Sequence, residues 1–309
     1  MIEVRELSKR FGDALAVDRL SFDVRPGVVT GFLGPNGAGK STTMRLILGL
    51  DEPTSGSVTV ARRSYRDLPA PMQEVGALLD AKAIHGKRSA HQHLRWLAQA
   101  GGFPRQRVDE VLELVGLAAV AGRRVGGFSL GMQQRLGMAA ALLGNPQTLL
   151  FDEPVNGLDP EGVLWVRNLF KGLAHEGRTI LVSSHLMSEM EETAEHVLVI
   201  GRGRLLADLS IGEFTQRSSG SHVCVVSPEA TRLTSLLLEQ VGSAVTSNGD
   251  GGLSVAGIDT ARIGDIAAEH GIRLHELTPQ RASLEDAFME LTRESVEYRA
   301  QPAAEKIGR

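Results

Sequence analysis

The chain has 309 residues, 42% of them apolar, and its 33 lysines and arginines against 37 aspartates and glutamates give a net charge of −4. That length supports about two domains and a core that needs no metal or disulfide staple. The near-balance of charge excludes a protein built mainly to grip nucleic acid over a broad surface. The one cysteine, Cys224, can form no internal disulfide and reads as a small buried hydrophobe, which fits a reducing compartment. Glu3, Arg5, Glu6, Lys9 and Arg10 interrupt the stretch in which a secretory signal would need an apolar run. Nowhere does the chain sustain the roughly eighteen apolar residues of a spanning helix, so it is expected neither to be exported nor to cross a membrane alone.

Alternation over Ile2–Leu7 and Leu20–Val24 predicts two half-buried strands, and after the turn Pro26-Gly27 the unbroken apolar run Val28–Leu33 predicts a buried one. Helical periodicity follows over Ser41–Leu50, Ser89–Ala100, Val108–Val115, Gly131–Leu143 and Glu161–Glu176, with strands Thr148–Phe151 and Thr179–Val182 between the later helices. This succession predicts an α/β layout with a mainly parallel inner sheet. After a further strand, Val197–Ile200, and the turn Gly201-Arg202-Gly203, residues 216–221 have linker composition, so we place a boundary between a first domain over 1–215 and a second over 216–309. The second is expected to be a small α+β domain. Its strands are read at His222–Val226, Ala244–Ser247, Leu253–Val255 and Arg273–Leu277, and its helices at Glu229–Val241, Thr260–His270 and Leu284–Thr292. Residues 216–309 hold nine basic and thirteen acidic side chains and therefore the whole net charge, which argues against a nucleic-acid role for them. The tail beyond Glu297 is expected to be frayed.

The strand Val28–Leu33 runs straight into Gly34, Pro35, Asn36, Gly37, Ala38, Gly39, Lys40 and Ser41 and then a helix, the context a phosphate-binding loop requires. Its glycines admit positive φ and leave bare backbone N–H groups to converge on a phosphate at a helix N-terminus. Lys40 is placed to neutralise the β- and γ-phosphates, Ser41 to ligate Mg²⁺, and Thr42 continues the nucleotide-binding segment. About 110 residues on, the apolar strand Thr148–Phe151 ends in Asp152 and Glu153. An acid at the carboxyl end of a parallel strand faces the ligand crevice, so Asp152 can hold Mg²⁺ and Glu153 can reach an attacking water. Taken alone, two acids after a strand equally well start a helix.

Phe128-Ser129-Leu130-Gly131-Met132-Gln133-Gln134-Arg135 opens a helix shortly before the acidic strand, and it resembles the signature sequence of ABC-transporter ATPases. Gly157-Leu158-Asp159-Pro160 resembles that family's D-loop, His185 its switch histidine, and Phe11 in Lys9-Arg10-Phe11-Gly12 the aromatic that stacks on adenine. These motifs stand in the family's order over residues 1 to about 215. The resemblance implies a P-loop NTPase cassette with a helical signature subdomain, followed by the small α+β domain. It further implies that two copies pack head to tail, so that Lys40 of one and Ser129 and Gly131 of the other enclose one ATP, with Asp159 also counted among the nucleotide-binding residues. Glu153 would be the general base and His185 would contact the γ-phosphate.

The chain departs from the family's pattern at Leu130, where Gly is usual, and at Met132, where Gln is usual. At Asp80 the family usually carries Gln or Glu; a carboxylate there could still ligate Mg²⁺. His91 and His93 are two apart on a helix and so on different faces, which predicts solvated polar residues rather than a metal pair. Trp96 and Leu97 lie in the region that receives a coupling helix of the membrane subunit in the family, and are read either as that interface or as ordinary core.

The resemblance implies an ATP-hydrolysing subunit on the cytoplasmic face of the cell membrane, peripheral to a separate integral permease. The ending Ser283–Thr292 resembles the antibiotic and multidrug export branch, although an apolar helix face of Leu284, Ala287, Phe288 and Leu291 explains the same residues. The expected cargo is a drug, antibiotic or other amphipathic compound. The alternative is a soluble ABC-type ATPase acting on ribosomes or DNA. Such relatives carry two cassettes or a long coiled-coil insertion, and Ser41–Ser129 contains no heptad run.

Overall fold

The amino-terminal alternation becomes a long antiparallel pair in the computed structural model: β1 (Ile2–Phe11) runs against β2 (Ala14–Val24), with Ile2, Val4, Leu20 and Phe22 buried. The structure describes residues 1–217, 222–241, 244–249, 251–280 and 283–292. The fully buried β3 (Val29–Leu33) leads through the glycine-rich loop into α1 (Lys40–Ile47), which ends earlier than the periodicity suggests because Gly49 takes a φ of +61°. β4 (Ser55–Val60) then returns to pair with β1, completing a three-stranded antiparallel sheet in the order β2-β1-β4.

A one-turn helix α2 (Pro71–Glu74) precedes β5 (Val75–Leu78). Three helices follow: α3 (Ala90–Gly101), opened by a reciprocal cap between Ser89 and Gln92; α4 (Gln106–Leu114); and α5 (Leu130–Leu142). They pack on one another, and α5 also packs on β5. β6 (Thr148–Asp152), α6 (Pro160–His175), β7 (Thr179–Ser183), α7 (Met187–Thr193), β8 (His196–Gly201) and β9 (Arg204–Ser210) complete a six-stranded sheet in the order β5-β6-β7-β3-β8-β9. The pairs from β5 to β8 are all parallel. Parallel strands are buried on both faces, which is why β3, β6 and β7 read as continuous apolar runs. On one side the antiparallel sheet supplies the cover, with Phe22 against Phe32 at 5.7 Å between ring centroids. Phe151 of β6 stacks on Phe170 of α6 at 4.7 Å.

The compact division of the chain falls between Asp208 and Leu209, seven residues before the sequence-based boundary at 215/216, because β9 leads directly into α8 (Ile211–Arg217) without a linker. Most of the linker-like stretch, 218–221, lies outside the described residues, as does the tail beyond Glu297. The second unit, Leu209–Leu291, contains α8, β10 (His222–Val226), α9 (Ala230–Val241), β11 (Ala244–Gly249), β12 (Gly252–Ala256), α10 (Thr260–Glu269), β13 (Glu276–Gln280) and all but the last residue of α11 (Leu284–Thr292). Its antiparallel sheet, ordered β11-β12-β10-β13, gives the split βαββαβ arrangement. The core lies among Val223, Val225, Leu233, Leu237, Val255 and Ile263.

Two expectations need correction. The last strand is Glu276–Gln280 rather than Arg273–Leu277. His275 N–H donates to Val226 O at 2.7 Å and Ser227 Oγ to Arg273 O at 2.7 Å, so residues 273–275 are tied off at the end of β10 before the ladder begins. Cys224 is only half-buried, because it alternates with the core residues Val223 and Val225.

Replacing Phe151 by Ala removes the ring stacked on Phe170 from a fully buried site and should cost about 3–5 kcal/mol. A lower urea midpoint with unchanged slope, followed through Trp96 and Trp165 fluorescence, is the expected result.

Candidate active site

The carboxyl ends of β6, β7 and β3 lie side by side, which is where ligands bind in a parallel sheet. Beyond β3 the loop needs glycine at two places in particular. A Cβ on Gly34 would stand 2.6 Å from Ile200 O, and Gly39 combines a φ of +104° with a Cβ position 2.5 Å from Ala16 O. Ala38 is buried inside the turn, its N–H donating to Pro35 O at 3.1 Å, while Asn36 and Gly37 face outward. Lys40 is buried, and its Nζ donates to Gly34 O at 2.6 Å and Pro35 O at 3.3 Å. Burial pushes the Lys40 ammonium below its ordinary pKa, opposed by the charges of Glu153 and Asp152. A desolvated cation whose hydrogen bonds go to carbonyls is suited to an incoming anion. The cleft, about 320 Å³, is walled by Gly37, Gly39, Lys40, Ser41 and Thr42 on one side and by Asp152 and Glu153 on the other.

Strand register sets the two acids. Asp152 on β6 lies opposite Ser183 on β7, which lies opposite Phe32 on β3. Ser41 Oγ donates to Asp152 Oδ2 at 2.6 Å, and Ser183 Oγ donates to Asp152 Oδ1. The next residue, Glu153, leaves the strand with a φ of +51°, unusual for a side chain with a Cβ. Its N–H is held by Ser183 Oγ at 3.0 Å and by Ser183 O at 3.3 Å. Glu153 Oε2 then lies 2.6 Å from His185 Nδ1. The fully buried Ser183 is a site residue the sequence reading missed; the signal was its place at the end of the strand next to the acids. The Ser41 hydroxyl and the Asp152 carboxylate are hard oxygen donors on the cleft wall. They fit Mg²⁺, which keeps waters and borrows phosphate oxygens rather than using an all-protein cage. Among the described residues no cluster of three His, Cys, Asp or Glu offers such a cage.

The other predicted residues lie elsewhere. Ser129 is the N-cap of α5, exposed, with Oγ accepting from Met132 N–H at 3.2 Å, and neither it nor Gly131 lines the cleft of its own chain. A Cβ on Gly131 would come 2.9 Å from Gly157 O, so this first helical turn is pressed against the segment that follows Glu153. Asp159 caps α6, accepting from Gly162 N–H at 2.9 Å. Phe11 ends β1, 49% exposed under Lys9 Nζ at 4.9 Å from the ring centroid; the hairpin residue on the cleft is Ala16. Asp80 is not gathered into the cleft, where Leu79 takes the neighbouring place. Its carboxylate accepts from Lys82 N–H at 2.8 Å and belongs to a second groove.

That groove, about 630 Å³, is lined by Leu50, Tyr65, Ile84, His93 and Leu97 among others. His91 is open to solvent beside Asp109, but His93 is not the solvated residue expected: its ring is half-buried, Nδ1 has no partner, and burial, then the charge of Arg88, pushes its pKa down. Trp96 is 52% exposed with the Arg88 guanidinium 4.9 Å from its ring centroid, which removes the core reading.

Residues 17–156 match the ABC transporter family, and residues 221–285 match a domain of unknown function (DUF8746). The bacitracin transport ATP-binding protein BcrA of Bacillus licheniformis is 35% identical over 94% of this chain and 97% of its own length. This chain belongs to the ABC transporter ATP-binding proteins. The lantibiotic transport ATP-binding protein SrtF of Streptococcus pyogenes is 34% identical over 67% of this chain and 90% of its own length. A dimeric bacterial ABC transporter cassette of known structure superposes with a TM-score of 0.63 at 25% identity, covering 68% of this chain and 99% of that one. As a member of the family, this ABC protein binds and hydrolyses ATP. Among the described residues no helix is long and apolar enough to cross a membrane.

A Ser183→Ala variant loses the hydroxyl shared by Asp152 and Glu153. A hydrogen bond to an ionised group is worth about 1.5–3 kcal/mol, so ATP turnover should fall roughly tenfold or more, with circular dichroism unchanged. Phosphate release in the steady state checks this.

Proposed function

We propose that the chain energises a separate integral membrane permease for export of an antibiotic or another amphipathic compound, working peripherally at the cytoplasmic face of the membrane. The observation that carries this reading is a divided site: the phosphate cleft and the start of α5, where Ser129 is exposed and Gly131 is buried just behind it, belong to one fold but not to one pocket. A helix N-terminus favours an anion, and this one is free to serve a second copy. Two chains closing head to tail put Lys40 and Ser41 of one and Ser129 and Gly131 of the other on the same ATP. The nucleotide then becomes part of the interface, and its hydrolysis removes the contact that holds the interface closed. The dimeric cassette among its structural relatives supports this pairing.

Within the cleft, Lys40 and the loop N–H groups bind the phosphates, and the exposed Phe11 is available to stack on adenine. Glu153 takes the proton of the attacking water, and His185, 2.6 Å from it, orients that carboxylate towards the γ-phosphate. Ser41 and Asp152 would hold Mg²⁺, which would supply neutralisation of phosphate charge. Asp159, at the start of α6, lies on the segment that would face the partner.

Export is supported by the bacitracin and lantibiotic transport proteins named above. The groove at Leu97 and His93, with the exposed Trp96 on the same helix, is the surface we assign to a coupling helix of the permease. The acidic balance of residues 216–309 gives no support to a ribosome- or DNA-bound role.

Full-length Glu153→Gln protein with MgATP should bind nucleotide, fail to turn it over, and recover a polytopic membrane protein from solubilised membranes. Adding Trp96→Ala should weaken that capture roughly thirtyfold, since truncating an interface tryptophan costs about 2 kcal/mol, while ATP binding is kept. Recovery of only ribosomes or DNA-bound complexes would overturn the permease reading.

A further inference from the structure

Gln134 lies one turn into α5, on the same helix as Ser129 and Gly131, and is 6% exposed. Its Nε2 donates to Glu153 O at 3.2 Å. That carbonyl already accepts from Asn156 N–H at 3.3 Å, so Gln134 occupies its second acceptor position. The amide orientation is forced, because only the NH₂ group can face a carbonyl. Gln134 Oε1 is left buried without a partner. A buried amide with its acceptor unpaired stabilises less than an apolar side chain of the same size. Packing therefore does not account for a glutamine at this position; the directed donor does.

The tether joins two places that already touch. A Cβ on Gly131 would meet Gly157 O at 2.9 Å, and one on Gly157 would meet Leu130 Cδ2 at 2.5 Å. The start of α5 and the segment 153–157 are thus in close contact, with the Gln134 hydrogen bond spanning them. Glu153, at a φ of +51°, is held at its N–H by Ser183 and at its carbonyl by Gln134, and the first anchor belongs to the sheet while the second belongs to the signature helix. We infer that Gln134 is a positioning residue that ties the face presented to the partner's ATP to the catalytic base of its own chain. Each Glu153 is then set in part by whether the neighbouring site is filled. This inference rests on the head-to-tail dimer proposed above.

The test uses the permease complex assembled from two differently tagged full-length copies, one carrying Glu153→Gln, so that only the other copy's base turns over ATP. Gln134→Met in the copy with the working base should lower kcat about fivefold, the worth of one neutral hydrogen bond, with KM for ATP unchanged. The same substitution in the Glu153→Gln copy, whose Ser129 completes the working site, should leave kcat within about twofold. Gln134→Leu should give the same dependence on placement, which guards against a folding defect peculiar to one variant. Equal losses from both placements, a loss only from the Glu153→Gln copy, or no loss from either would overturn the inference and leave Gln134 as ordinary support for α5. If the control without any Gln134 change forms no nucleotide-dependent dimer, the dimer reading fails first and this inference falls with it.

Discussion

The site depends on one buried hydroxyl. Ser183, at the end of β7, donates to Asp152 at the end of β6 and accepts from the N–H of Glu153, where the chain breaks from strand geometry. Parallel register brings these groups together: Asp152, Ser183 and Phe32 are aligned across three neighbouring strands, and the phosphate loop begins two residues beyond Phe32. The cation of Lys40, desolvated in the loop, and the carboxylates of Asp152 and Glu153 therefore face one another across a cleft of about 320 Å³. Two unfavourable local terms gather there: a left-handed Glu153 and a buried ammonium. The packed parallel sheet over-determines them, which is how strain persists at a functional site.

The same fold leaves the start of α5 outside its own cleft. The start of α5 offers a capping serine and a helix dipole to solvent, and its close approach to Gly157 connects it to the segment following Glu153. A half-site on one face and a cleft on another are what a protein needs if its nucleotide is to act as an adhesive between two copies. Leu130, the departure from the usual glycine, rests against Gly157, which has no side chain to obstruct it. That packing explains how a bulky residue is accommodated there.

Legibility followed locality. The phosphate loop, the paired acids and the signature helix are contiguous stretches whose chemistry is carried by neighbours in sequence, and each stands where the motif pattern puts it. Ala16 reaches the cleft through a hairpin, and the buried Ser183 reaches the two acids on its wall through strand register, so their parts are tertiary. β4 and β9 are hard to read because Ser55–Val60 and Arg204–Ser210 are mostly exposed or half-buried strands without clear apolar alternation. Asp80 is singled out by motif position, and in the structure its carboxylate caps the turn Ala81–Ala83. His93 and Trp96 reverse the usual expectation for their types, the histidine half-buried without a partner and the tryptophan exposed, because a groove runs along α3.

The central claim is that ATP is enclosed between two copies of this chain, with neither cleft complete alone. Sedimentation of Glu153→Gln protein with MgATP, with bound nucleotide counted in the same boundary, tests it most directly. The account predicts a dimer carrying two ATP per two chains that reverts to monomer when Ser129 is changed to Arg. A monomer retaining one ATP, or a dimer indifferent to Ser129, would contradict it.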